Sequence, residues 1–543
     1  RPVVVGVVFL LAAGTAAHRA EAGLDPPTAG AFEAWVTLVD EPRGTAYDVR
    51  VTVRHEDRLL TASAHGGARA GIVDALAGER VHVRGTVRPA AADDDWSRWN
   101  HVVGRLTVDE VVGLGPAPPA ADLANRIRRT LAGGAAGLDD DDRSLFLGMV
   151  IGDDRGQSPV IADDFRAAGL GHLLVVSGQN VAFVLALASP LAMRVRPATR
   201  LVLLLALLVL FALLTRFEPS VLRAVVMAGL GVGSTALGFP IDGRRALGGA
   251  VALLVVVDPF LVHVVAFRLS VAATAGIVWL AGPLAERVPG PRPVVLAFAT
   301  TAAAQLAVAP VLLATFGPVP LASLPANLLA GPASGPVMMW GATAGMVAGV
   351  AGGDVATVVH VPTTGLLWWI RRVAATAALG PPALVGVGAL GLLTASVGLA
   401  FVGLRWVRIT AATVAVTVAI GSVAGAARPP AGRSEVGAGI AVVRDGSVLV
   451  VELDDPAPPR TVLERLRLAG VGRPDLVIVA DGDAADAAAV VALVDRHGPL
   501  PVLAPPLHRV PDARTARPGQ RVELGGPVLE VIEVQPRLVV EVR

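Results

Sequence analysis

A histidine, a serine and two carboxamides, His172, Ser177, Gln179 and Asn180, crowd the head of an apolar run from Gly169 to Ala188. Such side chains can bind and release a polar or charged solute. Polar groups at membrane depth are costly unless they face a partner or a water-filled cavity, so a cluster here points to a transport route. Ser177 and Asn180 stand at i and i+3, and hydrogen bonding between helices is the equal alternative for them. A hydrolase built on His172 and Ser177 fails locally, because no oriented acid and no Gly-x-Ser-x-Gly elbow accompanies them.

Cations stand nearby in apolar surroundings. Pro219 suits the first turn of a helix, where its missing N–H costs nothing, with Ser220 beside it. Arg223 then lies about one turn inside. Its guanidinium can meet a phosphate, pair with Glu218, or snorkel to the interface. Arg268, two residues from Ser270 and flanked by apolar sequence, is expected to face an aqueous cavity. Far downstream, Asp481, Asp483 and Asp486 crowd one loop and read as a solvated helix N-terminus that offsets the macrodipole. His497 and His508 are the only histidines near them, and neither belongs to a His-x-His pair. With no cysteine in the chain, disulfides and thiolate metal sites are excluded.

The elements that position these residues are membrane elements. The 543 residues are 53% hydrophobic and 17% charged, with a mean hydropathy of +0.62, outside the range of ordinary soluble proteins. From Pro293 to Gly353 there is no ionisable side chain, enough for roughly two or three spans of about 20 residues. A net charge of +1 gives no global signal for nucleic acid. All basic residues are arginine, which fits a GC-rich genome better than a functional choice.

The sequence divides into five parts. Residues 1–20 read as an uncleaved first membrane span. Residues 24–118 alternate apolar and polar residues in runs at 34–39, 47–53, 81–87 and 102–112, separated by turn residues, which predicts a small antiparallel β-barrel. The phrase Ala77 to Gly85 is typical of an OB-like strand, and such folds bind single strands with basic and aromatic side chains. Aromatics are few (Trp35, Tyr47, Trp96, Trp99), so a purely structural barrel is as well supported. Residues 121–169 form an amphipathic connector with a helix start at Asp139 to Asp142. Residues 170–427 carry apolar runs at 173–192, 201–215, 224–241, 246–265, 269–285, 293–316, 321–353, 379–404 and 409–427. With the first span, this gives a polytopic α-helical membrane protein of about nine to eleven spans. Residues 433–543 alternate strand-like and helical runs and predict an α/β domain.

Arginines orient the spans. Arg194, Arg196 and Arg200 form one short loop, Arg244 and Arg245 a second, Arg287 and Arg292 a third, alternating with less basic turns near Arg216 and Asp258. The positive-inside rule puts the basic loops in the cytoplasm and both soluble domains outside. Trp368 and Trp369 beside Arg371 and Arg372 give 361–377 the pattern of a helix lying in the interface, with a tilted span as the alternative.

Four elements in order resemble the ComEC family of competence proteins. They are Gly148 to Asp153 followed by Phe165 to Gly178; Glu218-Pro219-Ser220-Val221-Leu222-Arg223-Ala224 with Met227; Ala266-Phe267-Arg268-Leu269-Ser270; and Asn327 with Pro332. Asn180 stands where many members have His, and Arg268 where they usually have Gln. The C-terminal domain resembles the metallo-β-lactamase-like domain that many members append, with Val436-Gly437-Ala438-Gly439 as its entry turn. Against that family's His-x-Asp-x-Asp-His, Asp481 replaces the first His, Asp483 is kept, Ala485 replaces the second Asp and Asp486 the last His. A two-metal hydrolase needs more ligands than remain, and the domain is about half the expected length, so it reads as a degenerate, truncated form without enzymatic activity.

The resemblance implies an inner-membrane (plasma-membrane) channel that takes up single-stranded DNA during natural transformation. Arg216, Arg223 and Arg268 would screen phosphates, and His172, Ser177, Gln179, Asn180, Ser270 and Asn327 would line the path. It implies no cofactor. The partners are a cytoplasmic translocase to supply energy, since no Walker-type loop is present, an outer DNA receptor, and a second copy in a homodimer. Two alternatives from other classes are a membrane nuclease acting on the discarded strand, against which the lost ligands argue, and a small-solute transporter, which an inverted repeat across 170–427 would favour.

Overall fold

Alternation builds the first group of elements. The computed structural model describes residues 12–21, 23–44, 48–91, 93–317, 319–378, 384–385, 431–437, 439–524, 528–534 and 538–542. It divides into two units, one of Arg1–Gly156, His172–Gly317 and Asn327–Ile370, the other of Gln157–Gly171, Pro318–Ala326 and Arg371–Arg543. Most of the expected first span at 1–20, and the apolar runs at 379–404 and 409–427, lie outside the described residues apart from 12–20 and 384–385.

In the first unit, β1 (Gly30–Leu38), β2 (Arg43–Gly44), β3 (Asp48–His55), β4 (Arg58–His65), β5 (Arg80–Pro89) and β6 (Val102–Gly115) form one sheet in the order β1-β5-β6-β4-β3-β2. β1 also pairs with β3, so five strands close into a ring in which only β4 and β6 run parallel. Inward positions hold Val36, Val51, Leu60, Val81, Val83 and Leu106, all buried. Each contributes about 1.5–3 kcal/mol relative to exposure. β4 escapes the sequence reading. Its Thr61-Ala62-Ser63-Ala64 alternates correctly, but Ala buries too little surface to stand out, and the hairpin turns on Glu56 at φ +52. Short helices α1 (Gly66–Ala70) and α2 (Asp95–Trp99) lie between strands.

Helix α3 (Pro119–Gly134) starts with proline at its first turn, and α4 (Asp140–Ile151) is capped by Asp139, whose carboxylate accepts from Asp142 N at 2.7 Å. Helix α5 (Pro159–Ala167) belongs to the second unit. Then follow α6 (Gly178–Ala192), α7 (Pro197–Leu214), α8 (Pro219–Ala236), α9 (Gly243–Val257), α10 (Val265–Ala285), α11 (Arg292–Phe316), α12 (Ser323–Ala351) and α13 (Asp354–Ala378). Among the described residues α7, α8, α10 and α11 are long and apolar enough to cross a membrane, and α6 is a shorter apolar helix.

Two expectations shift. The run 173–192 is helical only from Gly178, because Ser177 is extended at φ −124° and Leu173, Leu174 and Val176 are buried in the turn before it. The helix expected at 361–377 reaches back to Asp354. It buries Leu367 and Ile370, while Trp369 Nε1 donates to the Leu329 carbonyl at 2.9 Å.

The second unit is layered. β7 (Gly432–Glu435), β8 (Ile440–Asp445), β9 (Val448–Leu453), β10 (Leu476–Val479), β11 (Val502–Ala504) and β12 (Arg514–Thr515) form a mixed sheet in sequential order, parallel from β9 to β12. Helices α14 (Pro459–Leu468) and α15 (Ala484–His497) cover one face through Val462, Leu466, Val490 and Leu493. Leu529 and Val531 of a second sheet, β13 (Arg521–Glu523), β14 (Val528–Glu533) and β15 (Val539–Val542), cover the other. β10 reads Leu-Val-Ile-Val without alternation because both of its faces are buried.

Candidate functional site: a polar cleft beside a buried arginine

The turn that delays α6 builds the cleft. Ser177 occupies the N-cap position without using its hydroxyl as the cap; its Oγ lies 3.4 Å from Asn180 Oδ1 instead. Asn180 is buried and donates from Nδ2 to the Met149 carbonyl at 2.6 Å, fastening α6 to α4. Around this point Met149, His172, Leu173, Val175, Ser177, Gln179, Asn180, Ser334 and Met338 line a small open cleft. His172 and Gln179 are exposed, so an imidazole and a carboxamide face the opening. Ser334 and Met338 come from α12, a contribution no local pattern announces.

Arg223 lies one turn into α8 and is only 6% exposed. Its Nε donates to Ser270 Oγ of α10 at 2.8 Å, and one terminal nitrogen lies 3.6 Å from Met227 Sδ. Ser270 Oγ reaches the Ser220 carbonyl at 3.5 Å, and Ser220 Oγ the Val176 carbonyl at 3.4 Å. The guanidinium presses on the first turn of α6: a Cβ at Gly178 would sit 2.7 Å from an Arg223 terminal nitrogen, so a side chain there would displace the guanidinium. Arg223, Ser220, Ser270 and the head of α6 therefore form one node at the junction of α6, α8 and α10. Among the described residues Arg223 has no carboxylate partner, and Glu218 does not pair with it.

Arg216 turns to other partners. Its guanidinium meets Glu41 Oε1 at 2.7 and 2.8 Å and Asn125 Oδ1 at 2.6 Å. Arg128 joins the same cluster: Nε lies 3.3 Å from Glu41, one terminal nitrogen 3.5 Å from Asp153, and the other donates to the carbonyls of Ile151 at 2.6 Å and Leu214 at 2.7 Å. One arginine thus satisfies carbonyls at the C-terminal ends of both α4 and α7. Burial pulls the Asp153 carboxyl upward, but Arg155 and Arg128 outweigh it and hold that carboxyl below its usual range. A second fastening lies at the turn before α10, where His101 Nε2 meets Asp258 Oδ1 at 3.1 Å and Trp99 stacks on His263 at 3.8 Å. The barrel is thereby seated on the α7–α8 and α9–α10 turns.

The remaining candidates stand apart from the node. Arg268 is exposed on α10, and Asn327, at the start of α12, does not line the cleft. Glu41, Asn125 and Arg128 escape the sequence reading because they lie in polar segments where charge is unremarkable.

In the second unit, Asp483 and Asp486 do local work. Asp483 caps α15, accepting from Ala485 N at 2.8 Å and Asp486 N at 3.0 Å, while Asp486 Oδ2 accepts from Gly482 N at 2.8 Å and Asp483 N at 3.3 Å. This is a reciprocal capping box, and Asp486 is fully buried, so the expectation of a solvated helix start holds for the cap but not for that residue. Asp483 Oδ1 and Asp486 Oδ2 are thus held by backbone N–H groups.

Four helices long and apolar enough to cross a membrane, a polar cleft at the head of the shorter apolar helix α6 and a buried guanidinium with no carboxylate partner among the described residues are the features of a helical membrane protein with a polar opening between its helices. Residues 149–411, just under half of the chain, match the model of the family described as Competence protein, supporting a place in that family for the region that holds the cleft and the Arg223 node. No curated protein and no solved structure matches the chain.

Proposed function

We propose that this chain is a multi-pass channel of the inner membrane that passes single-stranded DNA during natural transformation. The observation that carries the reading is Arg223. A guanidinium cannot shed its charge in a protein, and burying one without an acid costs several kcal/mol. That cost is intelligible where a visiting anion completes the site. Ser270 and Ser220 add polar groups, the N-terminal turn of α6 favours negative charge, and His172, Gln179 and Asn180 sit at the adjoining cleft. A phosphodiester is the anion the competence match favours.

Other parts of the reading extend from this point. The closed ring with parallel β4 and β6 supports an OB-like barrel, and exposed Arg50, Arg54 and Arg58 on β3 and β4 suit a phosphate backbone. The barrel is fastened to the turns near Arg216 and Asp258, while the arginine-rich loops lie at the other helix ends; by the positive-inside rule the barrel is external. The C-terminal layers support a degenerate metallo-β-lactamase-like domain, also external, and the full span count is about nine to eleven. Arg216 serves as a barrel anchor, and Arg268 screens phosphates from its exposed position. A cytoplasmic translocase, an outer DNA receptor and a second copy are the proposed partners.

The test is transformation of a deletion strain complemented with variants. Arg223→Gln is expected to lower uptake roughly ten- to hundredfold at unchanged protein level, the scale of losing one charge-assisted contact; Arg268→Ala lowers it as well. Normal uptake with both variants would return these arginines to a structural role.

A further inference from the structure

Trp96 stands 57% exposed on the short helix α2, and its neighbours fix the level of that helix against the apolar helices of the same unit. Trp99, one turn along, stacks on His263 at 3.8 Å and meets Phe260 edge-on at 5.9 Å. Two residues further, His101 Nε2 meets Asp258 Oδ1 at 3.1 Å. These partners lie in the turn that precedes α10, whose 21 residues extend roughly 30 Å, the thickness of a bilayer's hydrocarbon core. A spanning helix of that length has its ends at the two interfaces, so α2 sits at interfacial depth. A second segment gives the same level. Arg98 Nη2 meets Glu21 Oε1 at 3.0 Å while its guanidinium lies over the Trp99 ring at 5.4 Å. Glu21 belongs to the helical stretch 12–21, the described end of the expected first span.

The surroundings of Trp96 select its partner. Val262, in the turn before α10, is 43% exposed, and the exposed apolar surface continues along α9 through Val257 and Leu253. Asp93 and Asp95 flank Trp96 on the surface, and Asp94 is engaged as the cap of α2 and the partner of Arg105. A run of aspartates repels a phosphodiester, whose binding takes cations. A zwitterionic headgroup layer carries no net charge to repel, and an indole gains there by burying its ring while its N–H stays wet. We propose that α2 is an interfacial anchor: Trp96 from the barrel and Val262 from the turn before α10 insert at the boundary of headgroups and acyl chains and hold the barrel against the lipid surface. The inference rests on the chain being an integral membrane protein, and neither on the DNA route nor on which face is external.

The chain has no cysteine, so Trp96→Cys carries a single environment-sensitive fluorophore in the full-length protein. In phosphatidylcholine nanodiscs, lipids with a nitroxide at the headgroup are expected to quench it several-fold more than lipids with one at mid-chain, and iodide in the water to quench it several-fold less than in the denatured protein. Val262→Cys, labelled in the same way, is expected to show the same lipid quenching and decides alone if the first variant misfolds. Full iodide access without lipid quenching in folded protein overturns the anchor. Protection that comes only on adding a single-stranded oligonucleotide assigns the face to nucleic acid and overturns it as well. Release of the unaltered protein by alkaline carbonate without detergent would sink the membrane reading and the anchor together. Lipid quenching in a protein whose deletion leaves transformation intact refutes the translocation reading and keeps the anchor.

Discussion

Asp486 shows how one side chain's surroundings set its chemistry. It is fully buried in the capping box, its Oδ1 has no hydrogen-bond partner among the described residues, and burial pushes its carboxyl up to about 6. The folded domain then holds the proton more tightly than the unfolded chain, whose aspartates titrate near 4. Its contribution is most favourable below about pH 4 and declines as the pH rises to about 6. Amide exchange at residues 482–486, corrected for the intrinsic rate, is expected to be faster at pH 7 than at pH 5, and Asp486→Asn to flatten that difference. A pH-independent rate in the unaltered protein would refute the assignment. Asp483→Ala removes the cap and is expected to cost about 0.5–2 kcal/mol locally, read by the same exchange. The engagement of both acids also predicts that the purified protein binds neither Zn²⁺ nor Mn²⁺ tightly and does not cut single-stranded DNA. Metal-dependent cleavage lost on Asp483→Ala would revive the nuclease alternative.

Between elements, Glu41 is the acid at which three segments meet. It meets Arg216 and Arg128 at once, joining the barrel to the α7–α8 turn and to α3. Arg216 and Phe217 both stand at positive φ, +56° and +55°, a strained arrangement for non-glycine residues that the partners of Arg216 help hold. Glu41→Ala leaves Arg216 without its acid and Arg128 with Asp153 alone, and is expected to destabilise the seating of the barrel by about 3–5 kcal/mol. Faster amide exchange across residues 213–218 and 152–155 is the sign to look for. If those segments keep their protection, the cluster is not what holds the barrel. Replacing Glu41 and Arg216 together is expected to cost less than the sum of the single changes, because both single changes break the same Glu41–Arg216 pair.

For the whole molecule, orientation in the membrane decides which face meets incoming DNA. Reporter fusions after Pro118 and after Val510 are expected to give the same non-cytoplasmic signal, since the basic loops around Arg196, Arg244 and Arg287 alternate with the turns that hold the barrel. Opposite signals would break the span count and the arginine argument together. A cytoplasmic signal from both would invert the channel and make the Arg223 node an exit rather than an entrance.

Periodicity and composition were enough for the classes of element: period-two runs became β1, β3, β5 and β6, and uncharged runs became α7, α8, α10 and α11. These signals are local, because a strand or a span declares itself through residues close together in the chain. The polar residues at 172–180, and Arg223 with Ser270, were legible for the same reason, as polar groups set in apolar sequence. What they touch was not. Nothing local says that Arg223 meets Ser270 47 positions away, that Ser334 and Met338 wall the cleft, or that Arg216 is paired with Glu41. The clasp of Asp163 by Arg467, 304 positions later, was equally invisible. An ordinary arginine in a polar helix and an ordinary aspartate in another become a buried pair only when the chain brings them together, since burial and partner are properties of packing and leave no trace in the composition of either segment.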